Sequence, residues 1–276
     1  MSIAFVARSD QGGASGGDLT ANKPTGTLDN HILIANCYSE GGATAFTLPS
    51  GWAWVAAAVQ NSNGDFWHRL AWKRASSEPA SWTFTHSPSA WRTIVVSAWS
   101  GCVTSGDPQD STAVSTNGNT TTVTAGSITN ATANSMNIAF VMSYNLDDLG
   151  ASGSGYTDNG IYDVANMFYA LQASSGASGV KTFTSATAAG NWTSWHISLK
   201  EASALALEQS AFRFRNDDGS ETTATWAAAA NTNINLGRSL TRRVRVQSNA
   251  TGDPASFRRL IEYRAVGDDG WRELKS

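Results

Sequence analysis

The chain has 276 residues, with 19 Lys+Arg against 22 Asp+Glu and a net charge of −3, so charge gives it no general pull toward nucleic acid. Charged residues are only 15% of the chain, below the roughly 25% of an average soluble protein. Ser, Thr, Ala, Asn and Gly fill the gap, and such a polar, weakly charged surface suits a long-lived extracellular or particle-bound β protein. No apolar run approaches the roughly 20 residues that cross a membrane as a helix. The start, MSIAFVARSDQGG, has no apolar stretch behind a basic segment, so neither a cleaved signal nor a membrane partner is expected.

Short apolar runs recur about every ten residues, each closed by Gly, Pro, Asn, Asp or Ser. That spacing predicts stacked antiparallel strands of a sandwich or barrel. Ile3–Ala7 is a first strand, followed by a Gly-rich polar loop over residues 9–30. Strands are then expected at His31–Tyr38, Trp52–Val59, Arg69–Arg74, Ser81–His86 and Arg92–Trp99. The run Thr93–Trp99 is continuously apolar and β-branched, as in a strand covered on both faces or lying at the sandwich centre. Residues 103–119 are a polar connection. Thr120–Ala125, Ser135–Met142, Asp163–Gln172, Val180–Ser185 and Trp192–Leu199 complete the set. Asn145–Gly160 is too long for a hairpin and is a candidate functional loop. No fixed-period repeat is visible.

Several ordered pieces of this first part resemble a β-sandwich domain of bacteriophage structural proteins. They are Gly26-Thr27-Leu28-Asp29 leading into an apolar strand, Pro49-Ser50-Gly51-Trp52, Ser77-Glu78-Pro79-Ala80-Ser81 and the strand ending Trp99-Ser100-Gly101. A TTTVTAGSITNATANSMNIAFV stretch paired with a closing WTSWHISLKEA belongs to the same likeness, which spans about residues 18–202. The resemblance implies a jelly-roll, concanavalin- or lectin-like sandwich, and it brings no set of functional residues with it.

From Phe212 the texture changes. Arg243-Val244-Arg245-Val246 and Leu260–Arg264 alternate with period two, and Gly267-Asp268-Asp269-Gly270 before Trp271 is a hairpin turn. We therefore expect an all-β chain of two domains. Residues 1–203 form a jelly-roll-like β-sandwich, and residues 204–276 form a smaller immunoglobulin- or fibronectin-like sandwich of five to seven strands. The order RNDDGSE, TATW, RVRVQSNATGDPA, EYR, W also resembles C-terminal modules of phage virion proteins. Residues 1–203 carry eight Lys+Arg against 13 Asp+Glu, and residues 204–276 carry 11 against nine, a net charge of −5 and then +2. Ten of those 11 basic residues are Arg, which suits bidentate protein contacts or simple solvent-facing strand positions.

Residues with chemical potential are few. His31, His68, His86 and His196 lie in no HxH, HExxH or CxxC setting, and there is no GxSxG elbow or Walker-type loop. Asp217-Asp218-Gly219-Ser220-Glu221 and Asp147-Asp148 lack the ligand spacing of a Ca²⁺ loop and read as turns. Glu40, Asp65 and Glu78 offer no selected pair for glycoside hydrolysis. No catalytic residue, cofactor or metal is therefore expected. Cys37 and Cys102 can meet across a sandwich, but they read better as two buried thiols. Nine of the 11 Trp fall in the first 203 residues. Four aromatics are candidates for contact with a glycan or protein: Trp52 and Trp54, which share one strand face, and Phe66 and Trp67, which follow an Asn-Gly-Asp turn.

The expected role is a non-enzymatic structural or accessory protein of a tailed-phage particle, made in the host cytoplasm and located in the virion. A capsid-surface decoration or head-fibre protein is favoured, docked on major capsid or tail proteins and present as a homo-oligomer. The alternative is a host-adhesion protein of the tail or fibre that binds host-surface glycans.

Overall fold

The computed structural model describes residues 2–13, 17–43, 45–87, 90–144, 149–151, 154–185, 190–203, 206–216, 218–220, 222–234, 242–251, 262–263 and 272–273. These residues are β-strand, turn and loop throughout. The chain divides into two compact units, Met1–Ser203 and Ala204–Ser276.

The first unit begins with nine strands: β1 (Ala4–Gly13), β2 (Leu19–Asn22), β3 (Ile32–Ser39), β4 (Phe46–Thr47), β5 (Ala53–Trp54), β6 (Val59–Gln60), β7 (Trp67–Arg74), β8 (Ser81–His86) and β9 (Arg92–Ser100). It continues with β10 (Val114–Thr120), β11 (Thr122–Ala125), β12 (Thr129–Asn130), β13 (Ser135–Tyr144), β14 (Leu149–Gly150), β15 (Thr157–Tyr162), β16 (Ala165–Gln172), β17 (Gly176–Ala177), β18 (Lys181–Ser185) and β19 (Gly190–Leu199). All pairings are antiparallel. The first nine strands form a large sheet in the order β1-β9-β3-β7-β5, with β6 also on β7, and a small sheet β2-β8-β4. The next ten form a large sheet β10-β19-β13-β16-β15, a small sheet β11-β18-β14 and the pair β12-β17.

The two halves of this unit thus repeat one strand order. The sequence shows no such repeat, because the two halves fill equivalent positions with different apolar residues. What the halves share is the register, set by backbone pairing and by which face each residue presents.

The side chains explain the layering. On β3, Ile32 and Ile34 point to one side while Leu33, Ala35 and Cys37 point to the other, and all are buried. Ile32 and Ile34 join Leu70 and Trp99 against Met136, Ile138, Phe140, Trp195, Ile197 and Leu199 of the second large sheet. The two large sheets therefore pack face to face. The opposite faces are closed by the small sheets: Leu33, Ala35, Ile94, Val96 and Ala98 pack on Leu19, Trp82 and Phe84, and Ala139, Val141 and Phe168 pack on Val123 and Phe183. β9 is buried from Arg92 to Trp99, as its continuous apolar run requires. Its large side chains each contribute roughly 1.5–3 kcal/mol on burial. β8 alternates, with Trp82, Phe84 and His86 inward and Thr83 and Thr85 outward, so one face is wet.

Four segments differ from the sequence reading. Trp52–Val59 is not one strand; β5 and β6 are separate two-residue strands, both on β7. The expected loop over residues 9–30 contains the end of β1 and all of β2, and the polar stretch 103–119 contains most of β10. Backbone pairing to β9, β8 and β19 holds these mostly polar segments, and β2 adds the buried Leu19 and Ala21. The candidate loop Asn145–Gly160 includes β14 and the start of β15, and its residues 145–148 and 152–153 lie outside the described residues.

In the second unit, β20 (Ala206–Asn216) pairs with β21 (Arg242–Thr251), and β22 (Glu262–Tyr263) pairs with β23 (Arg272–Glu273). Residues 224–231 run along the other edge of β20, with Asn216 N donating to Thr225 O, Ala227 N to Phe214 O and Asn231 N to Phe212 O. The expected turn at Gly267–Gly270 and Trp271 lies outside the described residues, as do Leu260, Ile261 and Arg264 of the expected strand, Asp147, Asp148, Asp217 and Glu221.

Candidate functional site

The four aromatic candidates do not form one open platform. Trp52 is buried, edge-on to Trp82 at 5.4 Å and to Phe84 at 5.3 Å between centroids. Trp54 packs on the same side of the fold and is half-buried under the Arg69 guanidinium, 4.0 Å above its ring. Phe66 is 0% exposed and stacks on Tyr38 at 4.6 Å. It is a core residue. The turn before it is held by Asn61, whose Oδ1 accepts from Asp65 N and Phe66 N, and this directs the ring inward. Trp67 opens β7 half-buried, paired with Ser39 and Gln60.

The structure brings together a different set, along the seam between the two large sheets. His68 is fully buried there. Its Nε2 lies 2.6 Å from Asn36 Oδ1, and its Nδ1 lies 2.8 Å from Thr193 Oγ1. The Asn36 amide nitrogen faces Met142 Sδ at 3.9 Å, so its oxygen is the acceptor. His68 Nε2–H therefore donates to Asn36, and His68 Nδ1 accepts from the Thr193 hydroxyl. Burial pulls the His68 pKa down to about 3, so the ring is neutral and acts as a fixed donor–acceptor pair. Trp195 Nε1 donates to His68 O at 3.3 Å.

A second polar group closes the same seam. Asp163, in a left-handed conformation at φ 52°, accepts from Trp91 Nε1 at 3.2 Å and from Thr93 Oγ1. Gly12 lies against it; an added Cβ would sit 3.1 Å from both the Asp163 carboxylate and the Thr93 hydroxyl. Asn191 Nδ2 donates to Asp65 at 2.8 Å, Asn117 Nδ2 to Gln60 O at 3.0 Å and Arg8 to Gly160 O at 3.0 Å.

The remaining histidines also hold structure. Under the second small sheet, His196 Nδ1 donates to Gly126 O at 2.6 Å, which leaves Nε2 to accept from Tyr156 OH at 2.7 Å. Burial lowers the His196 pKa to about 4 and raises that of the Tyr156 phenol. Ser39 Oγ and His86 Nε2 lie 2.8 Å apart, both buried, and Gly41 N donates to the same hydroxyl. This pair has the elements of a nucleophile and base, yet it lies within the fold, where His86 rests edge-on against Phe46. His31 Nδ1 accepts from Leu28 N at the turn before β3.

Sequence reasoning treated these residues singly and missed the seam. The signal available was a polar residue inside an apolar strand, such as Asn36 in HILIANCY or His196 in WTSWHISL, since a buried polar group needs a partner.

Cys37 and Cys102 are separate buried thiols; burial raises both, with Cys102 pushed up to about 12. A polar cavity of about 600 Å³ lies beside the connecting segment, lined in part by Asp107, Asp110 and Lys200. Asp110 is already engaged, accepting from Thr132 N, Thr132 Oγ1 and Ser135 Oγ. Among the described residues no group of three or more His, Cys, Asp and Glu could hold a metal ion.

In the second unit, Arg213 and Arg215 lie over the Trp226 ring at 4.2 and 5.0 Å. Arg213 pairs across the ribbon with Arg245, and Arg215 pairs with Arg243. One face of the ribbon is therefore rich in Arg, while Phe212, Phe214, Val244 and Val246 share the other.

No protein-family model, curated protein or solved structure matches this chain.

Proposed function

We propose that this chain is a non-enzymatic structural or accessory protein of a tailed-phage particle, located on the capsid surface as a decoration or head-fibre protein. The observation that carries the reading is the use of the polar side chains at the seam. His68, Asn36, Thr193 and Thr93 are buried and spend their polar atoms on one another, on the facing sheet and on Asp163 at the seam's edge, rather than on an open substrate site. Such a unit is a rigid block, and its weakly charged, Thr- and Ser-rich strands suit repeated docking on a lattice. Repetition turns modest single-site affinity into firm attachment. The resemblance of residues 18–202 to phage structural sandwiches points the same way.

Each half reads as a variant of the jelly roll, because the seven strands β1-β9-β3-β7 over β2-β8-β4 follow the jelly-roll winding, while β5 and β6 lie on β7 where an eighth strand would extend the small sheet. The Arg- and Trp-bearing ribbon of the second unit reads as part of an immunoglobulin-like module that contacts major capsid or tail proteins or sister copies. Quantitative mass spectrometry of purified particles tests the role. Many copies per particle support it, and absence of the chain from intact particles overturns it.

Adhesion to host-surface glycans from the tail or fibre is the second reading. It is favoured by Trp91, which is 37% exposed beside the Asp163 carboxylate, since an exposed indole next to a carboxylate suits a sugar ring. A glycan array probed with the full chain and with W91A separates the two readings.

A further inference from the structure

We infer that residues 2–102 and 103–203 are two copies of one sandwich module, and that the seam between their large sheets is a self-complementary, dimer-type interface that holds without the connecting segment. The equivalence is fixed by register. Ile32 pairs with Trp99 and Arg74 in the first half, as Met136 pairs with Leu199 and Leu171 in the second. On that alignment Trp72 matches Tyr169, and both pack on the shared core. Asn30 matches Asn134, each two residues ahead of its strand pair and each left-handed, at φ 69° and 59°. Phe84 of β8 and Phe183 of β18 match as the buried rings of the small sheets.

The contacts across the seam are reciprocal, which is the mark of a two-fold, isologous interface. Thr93 and Thr193 are equivalent. Thr93 donates to Asp163, just ahead of the second half's β16, and Thr193 donates to His68, at the start of the first half's β7, so the two bonds join equivalent elements with acceptors two register positions apart. Two residues before each, Trp91 and Asn191 are equivalent; Trp91 donates to Asp163 and Asn191 to Asp65, each in the turn ahead of the partner half's β16 or β7. β1 lies against the β15–β16 edge through Arg8–Gly160 and Phe5–Tyr169, and its counterpart β10 lies against β6 through Asn117–Gln60. A contact from element i to element j thus returns from the counterpart of i to the counterpart of j. A single sandwich folded on itself has no reason to show this pattern, whereas two copies of a self-associating module must show it.

The test cuts the folded full-length chain. Gly106 is exposed, and nothing lies within 4 Å of where a Cβ would stand, so a protease site inserted there is tolerated. After cleavage the two fragments should co-elute as one species of about 29.1 kDa plus the inserted residues, and their urea midpoint should rise with protein concentration while that of the uncut chain does not. Thr93→Val and Thr193→Val in the cut chain should each weaken fragment association by roughly three- to tenfold, with the two factors agreeing within about threefold. Separation of the fragments at micromolar concentration under native conditions would overturn the inference. So would a loss confined to one of the two Thr variants, which would show that the seam is not two-fold.

Discussion

Lowering the pH from 7 to 4.5 is expected to cost the first unit about 5 kcal/mol of stability, through two histidines that the fold keeps neutral. His68 has a folded pKa of about 3 and His196 of about 4, against roughly 6.5 in the unfolded chain. Protons therefore bind the unfolded chain first. Stability is complete above pH 6.5 and falls as the pH drops toward the folded values. At pH 4.5 each histidine has lost about two pH units at ~1.4 kcal/mol per unit, or somewhat under 3 kcal/mol. His31, also lowered by burial, adds to the loss, whereas Asp10, whose carboxyl burial raises, works against it. Burial pushes the Glu78 carboxyl up, but the Lys73 ammonium and the Ser76 and Trp82 N–H donors together hold it below its ordinary value, and it adds its own loss only below about pH 4.5. The total is a large share of the 5–15 kcal/mol typical of a domain. Urea unfolding followed by Trp fluorescence reads it out, because nine of 11 Trp are in this unit. His68→Gln removes one titrating ring and should roughly halve the fall between pH 6.5 and 4.5. A flat profile across that window, or an unchanged slope in His68→Gln, would refute the neutral, buried assignment.

Other substitutions discriminate further features. Phe66→Ala should cost about 3–5 kcal/mol as a core truncation, and Trp67→Ala at its half-buried site clearly less, measured by urea denaturation. Gly101→Ala should be severely destabilising in thermal melts, because the residue has φ 73° and a Cβ would lie 2.4 Å from Ser2 O. Asn30→Ala and Asn134→Ala should each lose about 1 kcal/mol, with the Gly variants near neutral, since both positions are left-handed. Both thiols should resist a thiol reagent at pH 8 until denaturant is added, because burial keeps Cys37 and Cys102 protonated.

The all-β character and most long strands of the first unit were legible in the sequence, because burial imposes the pattern directly. β8 reads from Trp82, Phe84 and His86 alternating with Thr, and β9 reads from its unbroken apolar run. Elements held by backbone pairing were not legible. The polar half of β1, Ser9–Gly13, pairs with Arg92–Val96 without apolar side chains of its own. The doubled strand order was hidden because Trp72 and Tyr169, or Trp99 and Leu199, fill the same place with different shapes. Among the four aromatic candidates, Phe66 sits inside because the Asn61 turn aims it there, a geometry that lies in side-chain hydrogen bonds and not in the order of residue types. Hydrogen bonds across the seam join residues up to 152 positions apart, and no local pattern announces a contact at that separation.

The proposed role is tested most directly by a cryo-EM map of the phage particle to which we assign this chain, at a resolution that counts copies and traces strands. The account predicts many copies at lattice-related positions on the shell, each with two large sheets packed face to face. Density for a few copies at the tail tip would move the protein to the adhesion reading. A complete particle without it would contradict the structural role outright.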